Sequence, residues 1–306
     1  MKDKKKWMMA AAAATGALIG RICYECRHFT TEYYDVASDK IPEAFRGFRF
    51  VVLSDLHNYD FDQGNRQLLW AIERLKPDAV MIAGDMIDAH PGADMSAAVR
   101  MVRDLCDRWP VYFGNGNHEQ RIALYPETYG DMHARWCKAI RHPNLHLLRN
   151  QHTVIRKDGA YINIYGLELN RTYYKRFRKV PMKKWYLTEQ LGICDRKEFN
   201  LLLAHNPLYF DEYADWGADL VLSGHVHGGV VILPFLGGVI SPQVRLFPKY
   251  YAGTYFRGKS EMISEPWTAH AQFSYSIVQY ARAVMCHTAS FLKKMIDRNA
   301  GRCHNR

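Results

Sequence analysis

Five clusters of polar residues with metal-binding or acid–base side chains follow short apolar runs along the chain. The clusters are Asp55-Leu56-His57, Gly84-Asp85, Gly116-Asn117-His118-Glu119, His205-Asn206-Pro207 and Gly224-His225-Val226-His227. Any one of them alone is more typical of a turn or of a hydrogen-bonded surface residue than of a ligand. Five in succession are not explained by coincidence. Asp, His and one Asn are ligands for divalent ions such as Mn, Fe or Zn, and the lack of Cys argues against a structural zinc site. The pattern predicts a hydrolytic centre with two metal ions.

Each of these clusters ends a run with the character of a buried strand. Six such runs are FRFVVLSD, DAVMIAGD, VYFGNGN, YINIYGLE, FNLLLAHN and ADLVLSGH. Between the first three, Gln63–Lys76 and Ala93–Arg108 have the apolar spacing of helices, which gives a β-α-β-α-β opening. In open α/β folds, ligands bind at the carboxyl ends of the strands, so the polar clusters are placed to form one site. We therefore predict an α/β fold, with a single domain over residues 47–262.

The order of the motifs D-x-H, GD, GNHE, HNP and GHVHGG resembles that of the calcineurin-like metallophosphoesterase superfamily. The resemblance covers about residues 48–258 and implies a four-layer αββα sandwich. Together with the apolar N-terminal segment and Pro234, it is similar to the small bacterial membrane-associated or exported branch. Some members of that branch cleave phosphate linkages in lipid or cell-envelope intermediates.

The resemblance also implies a role for each residue of the site. Asp55, His57 and His227 would hold one metal ion, Asn117, His205 and His225 would hold the second, and Asp85 would bridge the two. His118 would be the active-site histidine, which stabilises the phosphoryl oxygens or protonates the leaving oxygen. Glu119 either orients His118 or faces solvent at the start of a helix. Of Mn, Fe and Zn, we expect Mn.

The composition and the charge limit the possible function classes. With 306 residues, 48% hydrophobic and 24% charged, the chain has the make-up of a folded globular protein. The net charge of +10 is concentrated in residues 1–6, in residues 264–306 and in the stretch Arg171–Lys184, which has seven basic residues and no acid. The remainder is mildly acidic, which disfavours a broad nucleic-acid-binding surface.

The basic stretch continues as RTYYKRFRKVPMKKWYL, Arg171–Leu187, with Tyr173, Tyr174, Phe177 and Trp185 among the cations. Interleaved aromatic and basic residues suit an interface with lipid headgroups or with a phosphorylated substrate. A solvated charged loop or helix face is an equally good interpretation. Base stacking on nucleic acid is the weakest of the three.

The N-terminal sequence MKDKKK is followed by an apolar run of 14 residues. A basic cluster before an uncharged run is typical of a signal or anchor segment, which we assign to residues 1–30. The positive-inside rule then predicts that the catalytic domain lies outside the cytoplasm. Cleavage of the segment stays open, and an Ala-rich amphipathic or buried helix is the alternative.

Residues 264–306 differ from the usual end of the superfamily's domain. When plausible codons for residues 265 onward are read one nucleotide later, they can encode SLGRHTLNSPIRLFNMPELLCVILQ, a string similar to the usual end. We therefore expect an atypical tail that is the product of a shifted reading frame, which would leave one sheet without its closing strand. The alternative is a divergent helix, Tyr280–Ile296.

Taken together, the sequence predicts a metal-dependent hydrolase of phosphate esters or diphosphate linkages. The expected nucleophile is a hydroxide that bridges two metal ions, and the expected substrate is a cell-envelope or lipid-linked compound. Two alternatives remain: a catalytically impaired, membrane-tethered binding protein of the same fold, and a nuclease.

Overall fold

The computed structural model describes residues 4–9, 12–13, 15–16, 30–61, 64–175, 177–225, 231–233, 237–240, 249–250, 253–264 and 280–286. Two six-stranded sheets form its centre. In spatial order the first sheet contains β1 (Thr30–Val36), β14 (Tyr280–Cys286), β2 (Arg49–Leu53), β3 (Ala79–Ile82), β4 (Val111–Gly114) and β5 (Leu145–Leu148). The second contains β12 (Gly253–Arg257), β13 (Ser260–Ser264), β9 (Leu220–Ser223), β8 (Asn200–Ala204), β7 (Ala160–Leu167) and β6 (Gln151–Lys157). A separate hairpin pairs β10 (Val231–Leu233) with β11 (Gly237–Ile240).

Helices cover the outer faces of both sheets. They are α1 (Arg66–Leu75), α2 (Ser96–Cys106), α3 (Asn117–Leu124), α4 (Pro126–Tyr129), α5 (Met132–Ala139), α6 (Tyr186–Leu191) and α7 (Phe210–Trp216). Short 3-10 helices span Glu43–Phe45, Arg171–Tyr174 and Pro207–Tyr209. The six predicted strands and the two predicted helices are all present, with ends that differ by a few residues.

The apolar residues form three layers of core. Val51 of β2 packs with Ile72 of α1 outside the first sheet, whereas its neighbour Phe50 packs with Leu201 between the sheets. Outside the second sheet, Leu202 packs with residues of α6 and α7. Successive strand residues thus face opposite cores, which is why these strands are almost continuously apolar. The architecture is the expected four-layer αββα sandwich.

The end of the chain differs from the helix that was the alternative expectation for it. Strand β14 fills the position between β1 and β2, parallel to β1 and antiparallel to β2. The alternative helix Tyr280–Ile296 is therefore wrong over residues 280–286, because this backbone pairs with β2 along an edge that would otherwise be open. The shifted reading frame stays a prediction, because a strand at residues 280–286 does not report on the codons. Residues 265–279 and 287–306 lie outside the described residues.

Strands also flank the span predicted as one domain. β1 precedes residue 47, and β13 ends at Ser264. Most of the predicted 1–30 segment lies outside the described residues, although residues 4–9 are helical. No helix in the described ranges has the length and apolarity needed to cross a membrane.

Candidate metal centre

The strand ends converge at one edge of the sandwich. Strands β2, β3 and β4 are parallel neighbours, as are β8 and β9. Their carboxyl ends deliver, in order, Asp55 and His57, Asp85, Asn117 and His118, His205, and His225. The structure thus brings together five of the seven predicted ligands and the predicted active-site histidine, and the sixth ligand, Asn117, is buried next to that histidine in the chain. His227, the seventh ligand, lies outside the described residues.

The donor atoms are close enough to share ions. Asp85 Oδ2 lies 2.9 Å from His205 Nε2, and Asp55 Oδ1 lies 3.8 Å from the same nitrogen. Donor atoms of Asp55, His57 and Asp85 all lie within 4.8 Å of one another, and so do those of Asp85, His205 and His225. Asp85 is common to both groups, as a bridging carboxylate must be.

Strained backbone turns aim these side chains. Asp55, His57, Asp85 and His225 all have positive φ, at 54°, 47°, 53° and 70°. Such residues cost about 1–3 kcal/mol each and cluster at functional sites. The turns stabilise one another, because the Asp55 amide donates to the Gly84 carbonyl at 2.9 Å and the His57 amide to the Asp85 carbonyl at 3.1 Å.

Two glycines permit the close approach of the loops after β3 and β4. A Cβ on Gly84 would lie 2.5 Å from the Gly116 nitrogen, and Gly84 has a φ of 94°. A Cβ on Gly116 would collide with the Asp85 carboxylate. Any side chain at Gly116 would therefore displace Asp85.

Glu119 differs from both sequence expectations for it. Instead of orienting His118 or facing solvent, Glu119 is only 1% exposed and binds backbone amides. Its Oε2 accepts the amides of Asp85 and Gly116, both at 2.9 Å, and its Oε1 accepts the Ile87 amide at 3.2 Å. Burial and the neighbouring Asp85 carboxylate raise the pKa of Glu119 to about 7. Glu119 therefore joins the loops that carry Asp85 and Asn117.

Two further observations fit metal ions. The His205 Nδ1–H donates to the Ala83 carbonyl at 2.7 Å, which leaves the Nε2 lone pair directed into the cluster. His205 Nε2 and Asn117 Oδ1 are buried and make no hydrogen bond within the described part of the chain. With its proton on Nδ1, the His205 Nε2 lone pair lies 2.9 Å from Asp85 Oδ2, as expected when both acceptor atoms point to a common ion.

The electrostatics of the cluster favour positive charge. Burial alone would lower the pKa of His205, but the Asp85 and Asp55 carboxylates raise it to about 9. Burial would raise the pKa of Asp85, yet the His205 and His118 imidazoles hold it well below its usual range. A divalent cation can supply that charge and take the place of the imidazole protons.

His118 is more accessible than the ligands and is held by a residue that the sequence did not single out. Its side chain is 18% exposed, against 0% for His205 and 1% for Asp85. His118 Nδ1 lies 3.1 Å from Asp88 Oδ1 and 2.8 Å from the Ala89 nitrogen. These contacts exclude each other: the neutral ring accepts from Ala89, whereas a ring with a proton on Nδ1 donates to Asp88. The sequence feature that could have identified Asp88 is its position three residues after Asp85.

A tyrosine from the basic stretch covers one side of the cluster. The Tyr174 ring packs edge-on against His225, with centroids 5.1 Å apart. Burial, followed by the charge of Asp85, raises the pKa of Tyr174 well above its usual value. Asn206 of the HNP motif holds this segment, since its Nδ2 donates to the Tyr173 carbonyl at 3.2 Å. The loop after β7 therefore overhangs the site.

The profile of the calcineurin-like phosphoesterase family matches residues 48–229, which include every candidate ligand. The chain belongs to this family. The uncharacterized metallophosphoesterase YkuE of Bacillus subtilis (strain 168) is 28% identical over 266 residues, covering 83% of this chain and 84% of that protein. The phosphodiesterase YaeI of Escherichia coli (strain K12) is 24% identical over 198 residues, 64% of this chain and 66% of that protein.

Other relatives are longer than this chain. A metallophosphoesterase of Caenorhabditis elegans is 30% identical over 187 residues, which are 60% of this chain but only 35% of that protein. Among solved structures, the protein TT1561 of Thermus thermophilus covers 72% of this chain and 90% of its own, with 12% identity and a TM-score of 0.44. The family membership and the residue cluster together make the chain a metal-dependent phosphoester hydrolase.

Proposed function

We propose that the chain hydrolyses phosphate esters or diphosphate linkages of a cell-envelope or lipid-linked substrate, with two divalent ions, Mn before Fe or Zn. The observation that carries the two-ion proposal is the position of Asp85 in both groups of donor atoms. One ion would be held by Asp55, His57 and His227, the other by Asn117, His205 and His225, with Asp85 shared. When bound, two such ions lower the pKa of a water molecule and polarise the phosphoryl group.

The protein's own residues supply the remaining chemistry. His118 is more exposed than the ligands, and its Nε2 lies 3.9 Å from Asp85 Oδ2, so it is placed to act on a phosphoryl group bound at the metal centre. With a proton on Nδ1, the ring donates to Asp88 and keeps Nε2–H free to protonate the leaving oxygen. Asp88 thus acts as a positioning residue for His118.

The proposed location is a membrane, with the catalytic domain outside the cytoplasm. The basic residues 1–6 and the apolar run that follows them support a signal or anchor function. Fractionation of the full chain, with protease treatment of intact spheroplasts, tests this. Digestion of the domain by external protease is expected, and its protection would contradict the proposal.

Activity of the Mn-loaded full chain tests the chemistry. We expect hydrolysis of bis-p-nitrophenyl phosphate and faster hydrolysis of at least one lipid-linked or nucleotide-diphosphate envelope intermediate. Asp85→Asn should abolish both reactions, whereas Asp107→Asn, an exposed surface change beside His142, should leave both intact. Metal binding without turnover on any of these substrates would favour the impaired binding protein instead.

A further inference from the structure

The loop after β7 and the turn after α6 expose apolar side chains, and the loop also exposes cations. Phe177 is 74% exposed, Trp185 is 53% exposed and Ile193 is 88% exposed. The cations exposed on the same segment are Lys175, Arg178, Lys183 and Lys184. These seven residues are called the basic–aromatic surface below. Lys183 Nζ lies 4.7 Å from the Trp185 ring centroid, so cation and aromatic ring form one unit.

Two acids near these cations are already paired with other cations. Glu212 pairs with Lys179 at 2.8 Å, and Asp215 pairs with Arg257 at 2.8 Å. Both acids line a cavity of about 500 Å³ with Lys183, Lys184 and Ile193. The cavity thus opens beside the basic–aromatic surface, with an apolar wall and cations at its border.

Phe177 is held outward at an energetic cost. Its φ of 67° places a bulky side chain in the left-handed region, which costs on the order of 1 kcal/mol or more. An exposed aromatic ring in a strained conformation gives a water-soluble surface no benefit. A function for the exposed ring explains why the strain is retained.

The inner side of the same loop is fixed to the metal centre. Tyr174 packs on His225, and the Tyr209 hydroxyl donates to the Val180 carbonyl at 3.0 Å. The basic–aromatic surface therefore has a fixed position relative to the site.

We infer that the basic–aromatic surface docks on an anionic lipid bilayer. Lys beside Trp is the pairing that membrane interfaces favour, and Phe and Ile side chains enter the boundary between headgroups and acyl chains. Charge complementarity selects anionic over neutral lipid. Nucleic acid is the competing ligand that the test below must exclude, because Phe177 and Trp185 could also stack on bases. The inference rests on the proposed function for the lipid-linked substrate, but docking itself is measured without turnover.

Quenching of tryptophan fluorescence by brominated lipid tests the docking. The full chain carries Trp7→Phe, which removes a second membrane-directed tryptophan, and is mixed with vesicles of brominated phosphatidylglycerol or brominated phosphatidylcholine. We expect the brominated anionic lipid to quench the tryptophan fluorescence. In Trp185→Phe this quenching should be at least twofold smaller. The matched control is Trp70→Phe, an exposed tryptophan with its own cation, Arg74 at 4.7 Å, and it should leave the quenching unchanged.

The charge is tested in the same vesicles. Lys183→Gln with Lys184→Gln should weaken vesicle affinity about 25-fold, since each Lys near an anionic surface contributes roughly fivefold. Lys138→Gln, on the exposed face of α5, should have little effect. Hydrolysis of soluble bis-p-nitrophenyl phosphate should be equal in all these variants.

Three results would overturn the inference. These are equal quenching in Trp185→Phe and Trp70→Phe, equal quenching by neutral and anionic lipid, and displacement of the vesicles by single-stranded RNA at equal phosphate concentration. If the Trp7→Phe chain without further changes did not hydrolyse soluble bis-p-nitrophenyl phosphate, the proposed function would be contradicted instead. Failure of the docking inference and failure of the proposed function are therefore distinguishable.

Discussion

Replacing Glu119 by Gln should weaken the metal centre although no ligand is changed. The two carboxylate oxygens of Glu119 accept three backbone amides, those of Asp85, Gly116 and Ile87. A Gln side chain has one oxygen, so its NH₂ group must face at least one of these amides. Two donors then oppose each other in a site that is 1% exposed.

The size of the effect follows from that geometry. One buried amide left without an acceptor costs about 1–3 kcal/mol of unfolding free energy. Two of these amides belong to Asp85 and to Gly116, which precedes Asn117. The loops that carry Asp85 and Asn117 should therefore also separate, and a misplacement of about 1 Å costs about 100-fold in rate. Glu119→Ala, which loses all three hydrogen bonds and leaves a cavity, should cost about 3–5 kcal/mol.

Urea unfolding, bound metal and turnover should be measured together at pH 8, above the pKa of about 7 that burial and Asp85 give Glu119. We expect Glu119→Gln to lower the urea midpoint, to lose metal during gel filtration and to lose turnover of bis-p-nitrophenyl phosphate. Glu127→Gln on the exposed α4 is the control and should change stability by less than about 0.5 kcal/mol. If the two variants behave alike, Glu119 does not join the loops.

Four further results are expected. Asp85→Ala should abolish hydrolysis and reduce bound metal, measured by elemental analysis, because one carboxylate serves both groups of donor atoms; full activity would refute the assignment. His118→Ala should lower kcat at least 100-fold with normal metal content, and lost metal would make His118 a ligand. Burial raises the pKa of Glu261 to about 7 from 4.5. The folded chain therefore binds the proton of Glu261 more tightly than the unfolded chain does. The resulting stability is fully present below about pH 4.5 and is lost as the pH rises through 7. Glu261→Gln should flatten this fall by about 1–2 kcal/mol in urea midpoints taken from pH 4.5 to 8, and parallel curves would contradict it. Resequencing the gene over codons 264–306 should reveal a shifted frame, and a codon series whose next frame does not give the superfamily-like string would exclude it.

The sequence predicts the strands and the convergence of the site because both are local properties. A buried parallel strand is a continuous apolar run, and its carboxyl end marks the edge where ligands meet. Asp55, Asp85 and His205 each follow such a run, so their meeting required only the β-α-β connectivity.

The contacts that hold the site residues in place could not be predicted in the same way. The partners of Glu119 include the amide of Asp85, 34 residues away, and only the folded chain brings them within hydrogen-bond distance. The contact of Tyr174 with His225 likewise depends on the path of a loop without periodicity. Strand β14 depends on pairing with β2 across the length of the chain, which no local pattern at residues 280–286 specifies.

Titration of the metal-free full chain with Mn²⁺, with bound metal and hydrolysis of bis-p-nitrophenyl phosphate measured on the same samples, tests the central claim most directly. We predict two ions bound per chain, activity that appears as the second ion binds, and loss of both properties in Asp85→Asn. Full activity with one ion per chain, or two ions retained by Asp85→Asn, would contradict a centre that is built on a shared Asp85.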